Sequence, residues 1–214
     1  MDTTADNFFA EFLGKERENA LSDRSGSSEA LTEDEALVAA AAKGDDEAFR
    51  RLVERHQERV YHFCHQWLRQ PEDAREACQD TFVRVYQSLD SYRNRGRFRS
   101  WLFRIALNQC RDRYRSKAAR QHRDTFPLLD EEPGTACPRT APDESARLAN
   151  EVELIWRGID QLPEKLRDVL ILCAVEGMPQ EEGARILGCS VRAVEGRLYR
   201  ARRLLEDWWK AQAR

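Results

Sequence analysis

One predicted helix near the end of the chain concentrates arginine side chains behind a glycine turn. Within twelve residues its arginines are interleaved with apolar positions: Arg192, Arg197, Arg200, Arg202 and Arg203. Arginine can hold DNA phosphates or pair with the edge of guanine in the major groove. A solvated amphipathic helix could carry the same residues, so this stretch alone leaves both interpretations open.

The segment from Gln180 to Arg200 has the spacing of a helix-turn-helix. Ala184 is small enough for two helices to cross closely, Gly188 tolerates the positive φ of a turn, and Val194 can pack the second helix onto the first. Ser190 is predicted to cap the second helix. Helix-turn-helix units place this second helix in the major groove. The alternative is an α-hairpin with a charged outer face.

A second basic cluster lies between residues 92 and 123, although the whole chain carries a net charge of −3. Eleven bases stand there against a single acid, Asp112. They are Arg93, Arg95, Arg97, Arg99, Arg104, Arg111, Arg113, Arg115, Lys117, Arg120 and Arg123. Aromatic residues are interleaved with them, which favours polyanion binding over a merely solvated face.

The remaining elements predict an all-α protein with two small helical domains. Residues 34–117 repeat apolar side chains at helical spacing, with a break at Gln70-Pro71, and predict a three-to-four-helix bundle. Residues 118–146 are predicted to form a flexible acidic linker, since 124–146 hold four prolines and six acids. Residues 147–214 form the second unit, and 1–33 are predicted to be a disordered arm.

The sequence lacks the residues that several classes of function require. Without an apolar run of membrane-spanning length or a basic N-terminal signal, we expect a cytoplasmic protein. The six cysteines contain no CxxC pair, and His56, His62, Cys64 and His65 fall on differing helix faces, so we expect no metal. No carboxylate cluster, nucleophile elbow or phosphate loop is present, so we expect neither a cofactor nor an enzyme.

Four stretches, in order along the chain, resemble regions 2 and 4 of bacterial sigma-70 family sigma factors, in the extracytoplasmic-function (ECF) group. Region 2 is resembled by AFRRLVERHQERVYHFCHQWL, PEDAREACQDTFVRVYQSL and FRSWLFRIALNQCRDRYR. Region 4 is resembled by LPEKLRDVLILCAVEGMPQEEGARILGCSVRAVEGRLYRARRLL. The resemblance implies an alternative-type sigma factor that binds core RNA polymerase and directs promoter-specific transcription initiation.

The resemblance also implies roles for individual residues. Contacts to the β′ clamp helices would come from Gln79, Asp80, Phe82, Val83 and Tyr86. Recognition and melting of the −10 element would use Tyr92, Arg93, Asn94, Asn108 and Arg111. Reading of the −35 element would use Ser190, Arg192, Glu195, Arg197, Arg200 and Arg203. Trp101 could stack on an exposed base or hold its helix in the core.

Further partners and departures follow from the same resemblance. The expected partners are the polymerase β subunit, promoter DNA and an anti-sigma factor, which would act in a stress response. No direct membrane insertion is expected. The protein would be nucleoid-associated when it is in the holoenzyme, and the linker would thread through polymerase channels. Gly183 replaces a branched apolar residue and is expected to loosen its helix; Glu195 and Gly196 replace a basic residue and a serine.

Two other classes of protein account for less of the sequence. A stand-alone helix-turn-helix activator would use only the C-terminal motif and would leave residues 45–117 unexplained. A nucleic-acid hydrolase would need catalytic residues that the sequence does not supply. Dependence on core polymerase separates an activator, which binds its site alone, from a sigma factor.

Overall fold

The structure, a computed structural model, describes residues 27–93, 97–124 and 144–212. Within these ranges the chain is helical and contains no β-strand, so the all-α prediction is confirmed. The N-terminal group of helices comprises α1 (Ser27–Ala41), α2 (Asp46–Leu68), α3 (Pro71–Ser88) and α4 (Phe98–Asp124), with a 3₁₀ turn at Leu89–Ser91. The C-terminal group comprises α5 (Glu144–Asp160), α6 (Glu164–Leu170), α7 (Gln180–Leu187) and α8 (Val191–Gln212).

Local sequence signals set the ends of the N-terminal helices. Asp45 caps α2 by accepting a hydrogen bond from the Ala48 amide at 3.0 Å, and α2 ends where Arg69 adopts a φ of 59°. Pro71 occupies the first turn of α3, where its missing N–H costs nothing. The buried faces of α2 and α4 meet at the edge-to-face pair of Phe63 and Phe103, whose ring centroids lie 5.3 Å apart.

Helix bounds differ from the sequence expectation at three places. Helix α1 begins at Ser27, inside the predicted disordered arm 1–33, because Leu37, Val38 and Ala41 bury an apolar face in the core. Helix α4 continues to Asp124, beyond residue 117, since no proline or glycine interrupts residues 118–124. Helix α5 begins at Glu144, inside the predicted linker. Residues 1–26 of the arm and 125–143 of the linker lie outside the described residues.

The C-terminal group is built on close helix crossings. A Cβ at Gly158 of α5 would lie 2.6 Å from Leu205 Cδ1 of α8, so only glycine allows this approach. A π-helical turn, Ile171–Val175, follows α6, and its end is marked by the Glu176 amide donating to the Ile171 carbonyl at 2.9 Å.

Gly183 of α7 is buried against the sulfur of Cys173, which a Cβ at position 183 would approach to 2.9 Å. The glycine that the sequence marks as a weak point of α7 is therefore also the residue that admits this contact. Across the part of the chain that the structure describes, no helix is both long enough and apolar enough to cross a membrane.

Candidate nucleic-acid and polymerase interfaces

Helices α7 and α8 form the helix-turn-helix that the sequence predicts. Gly188 follows α7 with a φ of 64°, and its amide donates to the Ala184 carbonyl. Ser190 Oγ accepts a hydrogen bond from the Ala193 amide at 3.2 Å and so caps α8. Val194 and Leu198 are buried on the seam, as expected from their spacing. These contacts leave the opposite face of α8 toward solvent.

Most of the residues predicted for the −35 element lie on this solvent-exposed side: Ser190, Arg192, Glu195, Arg200 and Arg203. Arg197 is half-buried, and its guanidinium donates to Cys189 Sγ at 3.5 Å. Arg200 Nε donates to the Gly196 carbonyl at 3.1 Å. The predicted set therefore divides into five exposed side chains and one that packs partly against the turn.

Tyr199 was missed by sequence reasoning, although it is 66% exposed on the same helix. It stands seven residues after Arg192 and four before Arg203, the spacing of one helical face. Because apolar periodicity draws attention to the buried seam, an outward tyrosine between arginines gave no separate signal. The exposed face of α8 thus pairs an aromatic ring with basic side chains.

The loop that precedes α4 is held at both ends by hydrogen bonds to Glu35 of α1. Tyr92 is half-buried, with its ring 5.0 Å from the Trp101 ring, and its hydroxyl donates to Glu35 Oε1 of α1 at 2.6 Å. Burial and the Glu35 carboxylate raise the pKa of Tyr92 well above its ordinary value. Arg93 is exposed and donates to the Asp90 carbonyl at 2.6 Å. Asn94, a predicted −10 contact, lies outside the described residues.

Asn108 and Arg111 lie one turn apart on α4, joined by a 3.4 Å hydrogen bond from Arg111 Nη1 to Asn108 Oδ1. Asn108 is exposed, whereas Arg111 is engaged by the C-terminal group. Arg111 donates to Asp168 of α6, whose side chain is 1% exposed, and pairs with Glu164 at 3.6 Å. Burial raises the pKa of Asp168, against the opposing effect of Arg111.

Other bases of the cluster on α4 are also paired across helices. Arg99 pairs with Glu182 of α7 at 3.1 Å, and Arg104 donates to the carbonyls of Arg185 and Ile186 at the end of α7. Arg115 pairs with Glu164 at 2.7 Å. The C-terminal group therefore contacts the basic side of α4 through carboxylates and the carbonyl end of a helix, both of which attract cations.

On the other side, α3 supplies acids to the same helix. Arg113 donates to Glu76 and Asp80, each at 2.6 Å, and Lys117 pairs with Asp73 at 3.3 Å. Acids from α3, α6 and α7 thus offset part of the strong local charge of α4 in this arrangement.

The predicted polymerase-binding residues of α3 do not all share one environment. Gln79, Asp80, Val83 and Tyr86 are exposed, with Val83 at 55%. Phe82 is buried in the core, because its position coincides with the apolar face that packs on neighbouring helices. An outward face of α3 therefore carries an exposed apolar pair, Val83 and Tyr86, beside polar residues.

Cys64, Cys78 and Cys110 lie in the interior. Burial raises the pKa of Cys78 to about 12, and a hydrogen bond with Cys110, together with burial, raises the pKa of Cys64 well above its ordinary value. Thiols of this kind are poor nucleophiles, as their burial predicts. Among the described residues, no three His, Cys, Asp or Glu side chains are grouped so as to hold a metal ion. Cys137 falls outside those residues.

Comparison with known proteins assigns both helical groups. The family model for sigma-70 region 2 matches residues 52–120, and the model for sigma-70 region 4 matches residues 153–205. The RNA polymerase sigma factor CnrH of Cupriavidus metallidurans is 36% identical over 172 residues, covering 79% of this chain and 90% of that protein. The ECF RNA polymerase sigma-E factor of Escherichia coli K12 is 32% identical, covering 84% and 95%.

A solved structure of CnrH in complex with the cytosolic domain of CnrY is 34% identical, with a TM-score of 0.58, covering 84% of this chain and 98% of that one. The chain therefore belongs to the sigma-70 family of RNA polymerase sigma factors, in its ECF group. Its function is promoter-directed initiation of transcription, not that of a stand-alone activator. The resemblance stated from the sequence is confirmed.

Proposed function

We propose that residues 34–117 act as the region 2 domain and residues 147–214 as the region 4 domain, each reading one promoter element. The observation that carries this division is the pair of matched regions, in family order, each of which covers most of one of the two arginine-rich helices α4 and α8. Residues 118–146 serve as the connection.

The exposed face of α8 reads the −35 element. Arg192, Arg200 and Arg203 supply phosphate or guanine contacts, and Glu195 is suited to accept a hydrogen bond from cytosine N4. Ser190, at the start of the helix, adds a phosphate contact beside the helix N-terminus. Arg197 supports the turn through its hydrogen bond to Cys189, and it reaches DNA only if it gives up that bond.

The loop from Tyr92 and the first turns of α4 read and melt the −10 element. Arg93 and Asn108 are exposed, and Asn94, which follows Arg93 in the sequence, is the third member of this set. Arg111 joins them after it leaves Asp168, because one guanidinium cannot hold a buried carboxylate and a phosphate at once.

The outward face of α3 binds the β′ clamp helices of core polymerase. An exposed apolar pair with flanking polar groups, here Val83 and Tyr86 beside Gln79 and Asp80, has the composition of a protein interface. Phe82 supports this face from the core and makes no outward contact. The β subunit is the second polymerase contact, made by the region 4 domain.

The protein acts as a non-catalytic subunit in the cytoplasm, associated with the nucleoid when it is in the holoenzyme. An anti-sigma factor is the further partner. Support for this comes from the solved complex of CnrH with CnrY, since CnrH is 34% identical to this chain over most of its length.

Run-off transcription with purified core polymerase tests the proposal. The template is a library with randomised −35 and −10 elements, and the enriched transcripts are sequenced. We expect initiation at a defined two-part promoter only when core polymerase and this protein are both present. A shifted DNA site without polymerase, together with no promoter-specific initiation, would instead support a stand-alone activator.

A further inference from the structure

Helix α1 precedes the matched sigma-70 region 2, which begins at residue 52, and it places one carboxylate against the −10 loop. Glu35 Oε1 accepts a hydrogen bond from the Tyr92 hydroxyl at 2.6 Å and another from the Phe98 amide at 3.2 Å. Tyr92 enters the loop and Phe98 begins α4. A single oxygen atom therefore ties the two ends of this loop together.

Tyr92 extends the same network by one more bond. Its hydroxyl oxygen accepts from the Arg97 amide at 3.2 Å, while its proton points to Glu35. Its ring packs against Trp101 and, with centroids 6.2 Å apart, against Phe98. Since the amides of Arg97 and Phe98 lie at the open N-terminus of α4, the carboxylate of Glu35 also offsets the positive end of that helix.

Helix α1 is itself firmly held, so Glu35 is not a contact from a frayed tail. Asp34 is buried, with its Oδ2 2.9 Å from His56 Nε2 of α2, and Leu37 and Val38 lie in the core. Glu33 pairs with Arg55 at 2.5 Å on the exposed side. These anchors fix the backbone from which Glu35 reaches the loop.

We propose that Glu35 is a positioning residue for −10 specificity: by accepting from the Tyr92 hydroxyl and the Phe98 amide, it fixes the two ends of the loop relative to each other, and so sets the register in which Tyr92 and the start of α4 meet the −10 element. This rests on the proposed function, in which that loop reads the −10 element. Glu35 makes no DNA contact itself, and it acts through Tyr92 and the first turn of α4.

The test uses the full chain assembled with core polymerase and three promoters: the preferred sequence, one with a substituted −10 element and one with a substituted −35 element. The measured quantity is the ratio of initiation at the preferred promoter to that at each substituted one. This ratio does not depend on the fraction of active protein, so partial unfolding of a variant leaves it unchanged.

Glu35→Ala removes both acceptor contacts, and we expect its −10 ratio to fall roughly fivefold. Glu35→Gln keeps an oxygen acceptor without the charge, so its −10 ratio should lie between those of Glu35→Ala and wild type. The −35 ratio should remain at the wild-type value in both variants. Glu33→Ala is the matched control, because it removes an acid from the same helix without touching the loop, and its −10 ratio should be unchanged.

Two results would overturn the proposal, and they are distinguishable. A wild-type −10 ratio with lower initiation at every promoter in Glu35→Ala would show a general structural role and leave the proposed function intact. A wild-type holoenzyme that does not discriminate at −10 would remove the proposed function on which the inference depends.

Discussion

At the scale of single residues, the contact between Gly183 and Cys173 opposes helix propensity. Alanine at position 183 should favour α7 by about 1 kcal/mol, but its Cβ would lie 2.9 Å from the cysteine sulfur. Overpacking of this kind typically costs about 1–3 kcal/mol. Which effect is larger depends on whether the sulfur is present.

We therefore expect Gly183→Ala to lower the free energy of unfolding of the otherwise native chain by about 1 kcal/mol. In a Cys173→Ala background the same substitution should raise it. Chemical denaturation of the four variants measures the sign change. Gly196→Ala is the control: its Cβ would meet nothing within 4 Å, so it should stabilise in both backgrounds. Equal effects of Gly183→Ala in the two backgrounds would contradict the steric explanation.

Glu176 follows the π turn, where burial raises the pKa of its carboxyl to about 7, with Arg59 opposing the shift. The unfolded group ionises near 4.5, so between these values the unfolded chain holds fewer protons than the folded chain. The contribution of Glu176 to the free energy of unfolding is therefore fully present below pH 4.5 and is lost as the pH rises through 7.

A Glu176→Gln variant should lose this dependence. Its melting temperature should be close to that of wild type at pH 5 and higher by several degrees at pH 8, since a one-unit pKa shift corresponds to about 1.4 kcal/mol. Thermal melts across this range measure the difference between the two proteins. Parallel curves for both would contradict the assignment of the titration to Glu176.

At the scale of elements, the outward face of α8 is chemically separate from its seam. Glu195 is exposed, whereas Val194 beside it is buried, so changes at Glu195 should alter DNA reading without altering packing. We therefore expect that −35 preference can be changed at this one residue.

On the contacted strand, we expect Glu195→Arg to replace cytosine as the preferred base at one −35 position. The discrimination between bases at that position is worth about 1–3 kcal/mol. Selection from a library randomised at −35 measures this, with the melting temperature unchanged. Glu206→Arg, farther along α8 and also exposed, gives the same charge change outside the proposed contact set. A shared shift in both variants would point to general electrostatics.

Elements were predicted from the sequence where their determinants are close together in the chain. Ala184, Gly188 and Ser190 lie within seven residues, and the turn they form has the predicted geometry. Glu35 was not identified, because Tyr92 and Phe98 are 57 and 63 residues away and no local pattern links them. The helical spacing of Ala74, Cys78, Phe82 and Val85 places Phe82 on the core side, and only the resemblance assigned it to the polymerase contact.

At the scale of the whole molecule, the charges of α4 behave differently from what its sequence predicts. The arginine cluster indicates an open polyanion surface, but Arg99, Arg104 and Arg111 are held by α6 and α7. Pairing between segments so distant in sequence has no signature in local charge. We therefore expect DNA binding at α4 to compete with contact between the two groups of helices.

Asp168→Asn weakens that contact at its most buried pair, so we expect the free protein to bind a single-stranded −10 oligonucleotide roughly tenfold more tightly. Fluorescence anisotropy of a labelled oligonucleotide measures the affinity. Asp112→Asn changes the net charge equally at an exposed acid paired only loosely with Arg115. An equal gain in both variants would mean that net charge, and not release of Arg111, is responsible.

The guanidinium of Arg167 lies 4.9 Å from the Trp67 ring and 3.8 Å from the Tyr114 ring. It comes from α6, whereas the two aromatic residues belong to α2 and α4. Separation of the two groups of helices would withdraw a cation from an indole and admit water to it. Indole emission is sensitive to both changes, so the fluorescence of Trp67 should report separation of the two groups of helices.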